Sequence, residues 1–127
     1  MLSIAKKTLQ TAKETGNEAI IQVKANQRTL LHDCQTIAET TPADEVYQEP
    51  VTKTRHRIES RQIEIFISPT LTDDEKWALV KVVLKVERSR QVFETKTKTW
   101  KNSHETSFYI STVVLRAQEF GQAIRQH

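Results

Sequence analysis

Ala19-Ile20-Ile21-Gln22-Val23-Lys24-Ala25-Asn26-Gln27 is an apolar run of strand length that ends abruptly in a basic residue, a small residue and two carboxamides. Such a run reads as a buried strand whose C-terminal edge opens onto a polar surface. In open α/β sheets, ligands gather beyond the carboxyl ends of strands, so this edge is the natural place to look for a site. The stretch itself carries no nucleophile, acid or usual metal ligand. What the strand belongs to is decided by the segments on either side.

Upstream, Leu2, Ala5, Leu9 and Ala12 recur at helical spacing, and Gly16-Asn17 supplies a left-handed stop. A helix turning into a buried strand predicts half of a βαβ unit, so the strand over 18–24 needs parallel neighbours. Downstream, Asn26 is placed to cap a second helix with the stripe Leu30, Leu31, Cys34, Ile37 and Ala38. Cys34 on that stripe reads as a small core residue, and His32 off it as a solvated one.

Beyond Pro42 the pattern favours strands. Over 46–67, alternation puts Ile63, Ile65 and Ile67 on one face with Arg57, Glu59 and Arg61. A strand apolar at one end and charged at the other runs from a core out to a working surface or to solvent. Thr72-Asp73-Asp74-Glu75 has capping-box spacing and predicts a short helix containing Trp77. Val80 to Glu87 predicts a second long strand, and Thr106 to Ser111 a third with Phe108 and Ile110 on one face. A turn is expected at Lys101-Asn102-Ser103 between them. Ala117, Phe120, Gly121 and Ile124 mark a final helix, in which Gly121 costs about 1 kcal/mol relative to alanine.

A chain of 127 residues, 37% hydrophobic and 28% charged, accommodates one core. The apolar runs fall short of a membrane span and the first residues lack a signal-peptide pattern, so no membrane partner is expected. One cysteine excludes an internal disulfide and suits a reducing cytoplasm. Two glycines leave no phosphate-binding glycine loop, and no small-molecule substrate is expected. His32, His56, His104 and His127 show no metal-ligand spacing. The net charge of +3 matters less than its distribution, with basic residues concentrated over 53–61 and 81–101. Arg55, Arg57 and Arg61 offer forked donors to phosphate oxygens, with Glu59 between the last two. The same residues suit a cross-strand ion-pair ladder at a sheet edge, and the sequence leaves both readings open.

Four segments in order carry a resemblance. Lys24-Ala25-Asn26-Gln27 after an apolar strand resembles the V-K-x-N-Q segment of a group of bacterial insertion-sequence transposases. These are the DDE enzymes that include the H-repeat-associated proteins. The basic stretch resembles their H-G-R-I-E-x-R, Tyr109-Ile110-Ser111 their Y-I-S strand, and the terminal 123–127 their I-R-x-H. In this chain Arg55 stands where the family has His, and His56 where it has Gly.

The resemblance implies part of a ribonuclease-H-like catalytic domain: an α-β-α piece over 1–40, an inserted antiparallel β-rich region over 45–112, and the start of a final helix over 115–127. In such enzymes two aspartates and a glutamate hold magnesium ions that drive DNA cleavage and strand transfer. Lys6-Lys7-Thr8-Leu9 matches the end of the family's second-aspartate segment, which places all three metal-ligand positions outside this chain. The expectation is therefore a truncated, non-catalytic transposase piece that binds no cofactor of its own. Lys24, Asn26, Gln27, Arg55, Arg57 and Arg61 are its expected DNA contacts, weak and directed at the phosphate backbone, and a full-length transposase is the expected protein partner. Two alternatives stay open: a weak, non-enzymatic DNA-binding or transposase-interacting module that uses Arg55, Arg57, Arg61 and the basic face over 81–101, and an unrelated small α+β protein.

Overall fold

Val82-Val83-Leu84 is apolar on both sides of the pleat, which only a strand covered on both faces can bury. The computed structural model, which describes residues 19–72 and 76–125, places it at the centre of one sheet. In chain order the elements are β1 (Ile20–Gln22), α1 (Arg28–Thr40), β2 (Glu45–Gln48), β3 (Thr52–Thr54), β4 (Arg57–Ile67), β5 (Val82–Glu94), β6 (Thr99–Ser111) and α2 (Ala117–Arg125). The strand order is β1-β6-β5-β4-β2, with β3 also paired to β4. All these pairings are antiparallel. The chain is thus an α/β fold dominated by an antiparallel sheet, with two helices among the described residues.

One helix covers each face. Val83, Phe66, Phe108 and Ile110 project toward α1 and pack with its Leu30 and Cys34, and with Trp77 and Leu71 from the β4–β5 connection. Val82, Leu84, Val86, Ile63 and Ile65 project to the other face, against Ala117, Phe120 and Ile124 of α2. The two clusters are the period-2 alternation of β4, β5 and β6 made physical. Cys34 is fully buried, as its place on the helix stripe predicts, and His32 is exposed. Burial pushes the Cys34 thiol up to about 12, and the charge of neighbouring Asp33 adds to the effect. Cys34 is therefore a packing residue and not a nucleophile.

Several expectations are corrected. The opening strand has no parallel neighbour among the described strands: Ile20, Ile21 and Gln22 pair antiparallel with Ser111, Ile110 and Tyr109. β6 can serve because it returns along the sheet from a hairpin, which brings an antiparallel edge to β1 without a crossover helix. The chain reversal between β5 and β6 falls at residues 95–98, where Lys98 takes φ 54°, and not at Lys101-Asn102-Ser103. Asn26 lies in a turn; Gln27 precedes α1 and makes no side-chain cap hydrogen bond. Trp77 is buried, but residues 76–79 form a turn closed by Val80 N–H to the Trp77 carbonyl at 3.0 Å. The opening helix over 1–14 and the capping-box residues 73–75 lie outside the described residues. Thr72 bonds elsewhere: its amide and hydroxyl both donate to Asp33, at 2.9 and 2.6 Å, tying α1 to the β4–β5 connection.

α2 forms where Ala117, Phe120, Gly121 and Ile124 predict it, and all four are buried. Glu45 of β2 holds its start. The carboxylate accepts from the Ala117 amide at 2.8 Å and from Arg116 Nε and Nη2 at 3.0 and 2.9 Å. These bonds, Arg116 first, hold the Glu45 carboxyl below its ordinary range. Gly121 is explained by contact rather than by backbone angle. A Cβ there would lie 2.6 Å from Ile63 Cδ1 and 3.2 Å from Glu49 Oε2. Gly121→Val is expected to destabilise the fold by about 1–3 kcal/mol through overpacking, measured by urea unfolding, although any side chain raises helix propensity there.

Candidate nucleic-acid interface

The apolar core reaches only part of the way along the long strands. On β5 it ends at Val86, and on β6 at Phe108, beside the buried Ser107. From Arg88 to Glu94, and back from Thr99 to Thr106, the two strands continue in register with most side chains exposed or half-exposed. Seven residues of antiparallel strand span roughly 24 Å, so the β5–β6 hairpin stands out from the body as a ribbon. β3 and the first residues of β4 run alongside it.

Ladder hydrogen bonds and one aromatic cluster hold this ribbon. Phe93 and Trp100 face each other across β5 and β6, with ring centroids 5.4 Å apart and planes at 62°. His56, in the β3–β4 turn, stacks on Phe93 at 5.8 Å, and its carbonyl accepts from the Phe93 amide at 2.8 Å. Edge-to-face packing of this kind contributes about 0.5–1.5 kcal/mol beyond burial. Trp100 nevertheless remains 47% exposed. Around it the outer ribbon carries Lys53, Arg55, Arg57, Arg90, Lys96, Lys98 and Lys101 against Glu59, Glu94 and Glu105.

The expected site residues divide into three groups. Lys24, Asn26 and Gln27 form a turn beyond the C-terminal end of β1. The Gln27 amide donates to the Lys24 carbonyl at 3.0 Å, and Gln27 Oε1 accepts from the Lys24 amide at 2.9 Å. Gln27 thereby shapes the turn, while the Lys24 and Asn26 side chains are exposed. Arg55 is exposed at the β3–β4 turn. Arg57 and Arg61 lie on β4, three strands away from β1 in the sheet and so about 14 Å distant by strand spacing. The sheet therefore does not bring Lys24, Asn26 and Gln27 together with Arg57 and Arg61.

Arg57 and Arg61 are both engaged in ion pairs, on a strand that lies between β3 and β5 at Arg57 and is not a sheet edge there. Glu59 Oε1 lies 3.4 Å from Arg57 Nη1 and 3.1 Å from Arg90 Nε, its directly opposite residue on β5. Arg61 is turned inward. Its Nε and Nη2 bind both oxygens of Glu49, the latter at 2.9 Å, and Nη2 also donates to the Gly121 carbonyl at 2.7 Å. Arg125 Nη2 donates to Glu49 Oε2 at 2.8 Å. Burial pushes the Glu49 carboxyl up, but the hydrogen bonds and charges of Arg61 and Arg125 outweigh it and hold the group below its ordinary range. The sequence does not mark Glu49 or Arg125 as site residues, and it includes Arg88 and Arg90 only as part of the basic stretch over 81–101. The alternate arginines of Arg88-Ser89-Arg90 repeat the Arg57/Glu59/Arg61 rhythm, a signal that gains meaning only once β5 is known to run past Glu87.

Among the described residues no group of three or more His, Cys, Asp or Glu side chains is placed to hold a metal ion. No helix among the described residues is long and apolar enough to cross a membrane. Comparison with family models, with curated proteins and with solved structures yields no match.

Proposed function

We propose that this chain is a DNA-contacting piece of a transposase-like catalytic domain, and that its ribbon lies along the phosphate backbone of a duplex. The observation that carries the DNA contact is the projecting β3–β6 ribbon, whose outer end is strongly basic. Cations spread along the extended strands of this arm match the spaced charges of a duplex backbone. The ordered motifs, Lys24-Ala25-Asn26-Gln27 foremost, support the transposase origin and the ribonuclease-H-like assignment of the β1–α1 piece. On this reading the metal-dependent cleavage belongs to carboxylates other than those of the described residues. A full-length transposase is the matching protein partner, and co-purification of the two tests that part.

DNA contact is sequence-tolerant and falls steeply with salt. Lys53, Arg55, Lys96 and Lys98 make no ion pair among the described residues, which suits them to phosphate. A variant with Lys53→Gln, Arg55→Gln, Lys96→Gln and Lys98→Asn, the asparagine chosen for its tolerance of positive φ, should keep the fold. Its slope of log affinity against log salt should be shallower by roughly 3–4, at about 0.9 per lost phosphate contact. An unchanged slope, or no binding of duplex DNA by the parent chain at low salt, rejects the reading.

A further inference from the structure

Beside the ribbon's base, on the face that carries α2, lies a cleft of ≈ 210 Å³ lined by Glu49, Thr52, Glu59, Arg61, Arg88, Arg90 and Arg125 among others. Its carboxylates are already engaged: Glu49 between Arg61 and Arg125, Glu59 between Arg57 and Arg90. Five guanidiniums thus face two carboxylates, and Arg88 is left without an ion pair within 4 Å among the described residues. Arg88 sits between Arg61, directly opposite it on β4 and already held by Glu49, and Glu105, directly opposite it on β6. Partial burial of Arg88 removes part of the water that would screen its charge. An anion in the cleft supplies the Arg88 guanidinium with a partner.

We infer that this cleft is a phosphate-binding site centred on Arg88. Arg88 offers its whole fork of donors, Arg90 keeps the guanidinium nitrogens not facing Glu59, and the Thr52 hydroxyl adds a neutral donor at the rim. Glu49 fixes Arg61 and Arg125 in the wall, so the charge is held before any ligand arrives. The ligand is a phosphate group, from a nucleic-acid backbone or as a free phosphate ion. The inference does not depend on the ribbon tip binding DNA.

The test uses the full chain and inorganic phosphate at pH 7, with chloride at matched ionic strength as reference. The parent should show a saturable rise in Tm with phosphate, with amide shifts confined to residues lining the cleft. Arg88→Gln, which breaks no ion pair within 4 Å among the described residues, should melt close to the parent in chloride. It should also bind phosphate about tenfold or more weakly, the scale of a lost charge-assisted pair. Arg90→Gln serves as a second, independent variant if Arg88→Gln does not fold. Absence of a saturable phosphate effect in the parent overturns the site, as does undiminished phosphate binding when either variant folds. Duplex DNA then separates the sources. Weaker duplex binding by Arg88→Gln, with the tip intact, assigns the cleft to a backbone phosphate; unchanged duplex binding assigns it to a free phosphate. Loss of duplex binding in the tip variant alone leaves this site standing, and phosphate binding by a chain that never binds DNA rejects the proposed function without touching it.

Discussion

Glu49→Ala should lower the unfolding free energy by about 3–5 kcal/mol, a large part of the about 5–15 kcal/mol that holds a typical domain together. Glu49 is 6% exposed and follows β2, where it meets Arg61 from β4 and Arg125 from α2. The pair with Arg61 is buried on both sides, at 7% and 11% side-chain exposure. Removing the carboxylate leaves the Arg61 guanidinium in the protein interior with only the Gly121 carbonyl as a hydrogen-bond acceptor. Breaking one side of a buried pair costs far more than an exposed pair contributes, because the remaining charge stays desolvated. Thermal unfolding should shift down by about 12–20 °C for a domain of this size. Acid provides a second readout. The folded Glu49 carboxyl titrates below its unfolded value, so the native state binds fewer protons and its contribution is complete above the ordinary glutamate value near about 4.3. That contribution is lost as pH falls through the depressed folded value. Glu49→Gln should therefore flatten this limb of the stability–pH curve while leaving the neutral-pH fold in place. An Ala variant as stable as the parent would show that the Arg61 fork finds water or another acceptor.

How far the sequence foretells this arrangement depends on whether a partner lies within one element. Ile63, Ile65, Arg57, Glu59 and Arg61 are correctly assigned to one strand face because a period of two needs no tertiary information. Ala117, Phe120, Gly121 and Ile124 are legible for the same reason at helical period. The full length of β5 and β6 is not. Past Val86 and Ser107 there is no core to impose alternation, so Lys101-Asn102-Ser103 reads as a turn although it lies mid-strand, held by its ladder to Arg90, Gln91 and Val92. Pairings across the fold are equally hidden. Glu49 meets Arg61 twelve residues away and Arg125 seventy-six away, and Asp33 meets Thr72 thirty-nine away. Each depends on the sheet register and helix placement. The reading of Ala19–Gln27 as an apolar strand opening onto a polar turn holds, but the strand's neighbour is antiparallel because the pattern of one strand does not specify the direction of the next.

Phe120→Ala should match or exceed the Glu49 effect, at about 3–5 kcal/mol, because it removes the largest fully buried side chain in the molecule's described part. α2 spans only nine residues, too few to be stable in isolation, so its helicity depends on what it docks against. Phe120 joins Ala117 and Ile124 against Ile63, Ile65, Val82, Leu84 and Val86. Losing the ring leaves a cavity that the surrounding β-branched side chains, stiff at χ1, close only in part. The same helix delivers Arg125 to Glu49 and the Gly121 carbonyl to Arg61. Loosening α2 therefore weakens the ion-pair cluster, and the two losses should not be additive. In a double-mutant cycle, Phe120→Ala with Glu49→Ala should cost less than the two single changes together by about 0.5–3 kcal/mol. Strict additivity in urea unfolding would mean that α2 stays docked without the ring, held by Glu45 at its start and by Ile124 near its end.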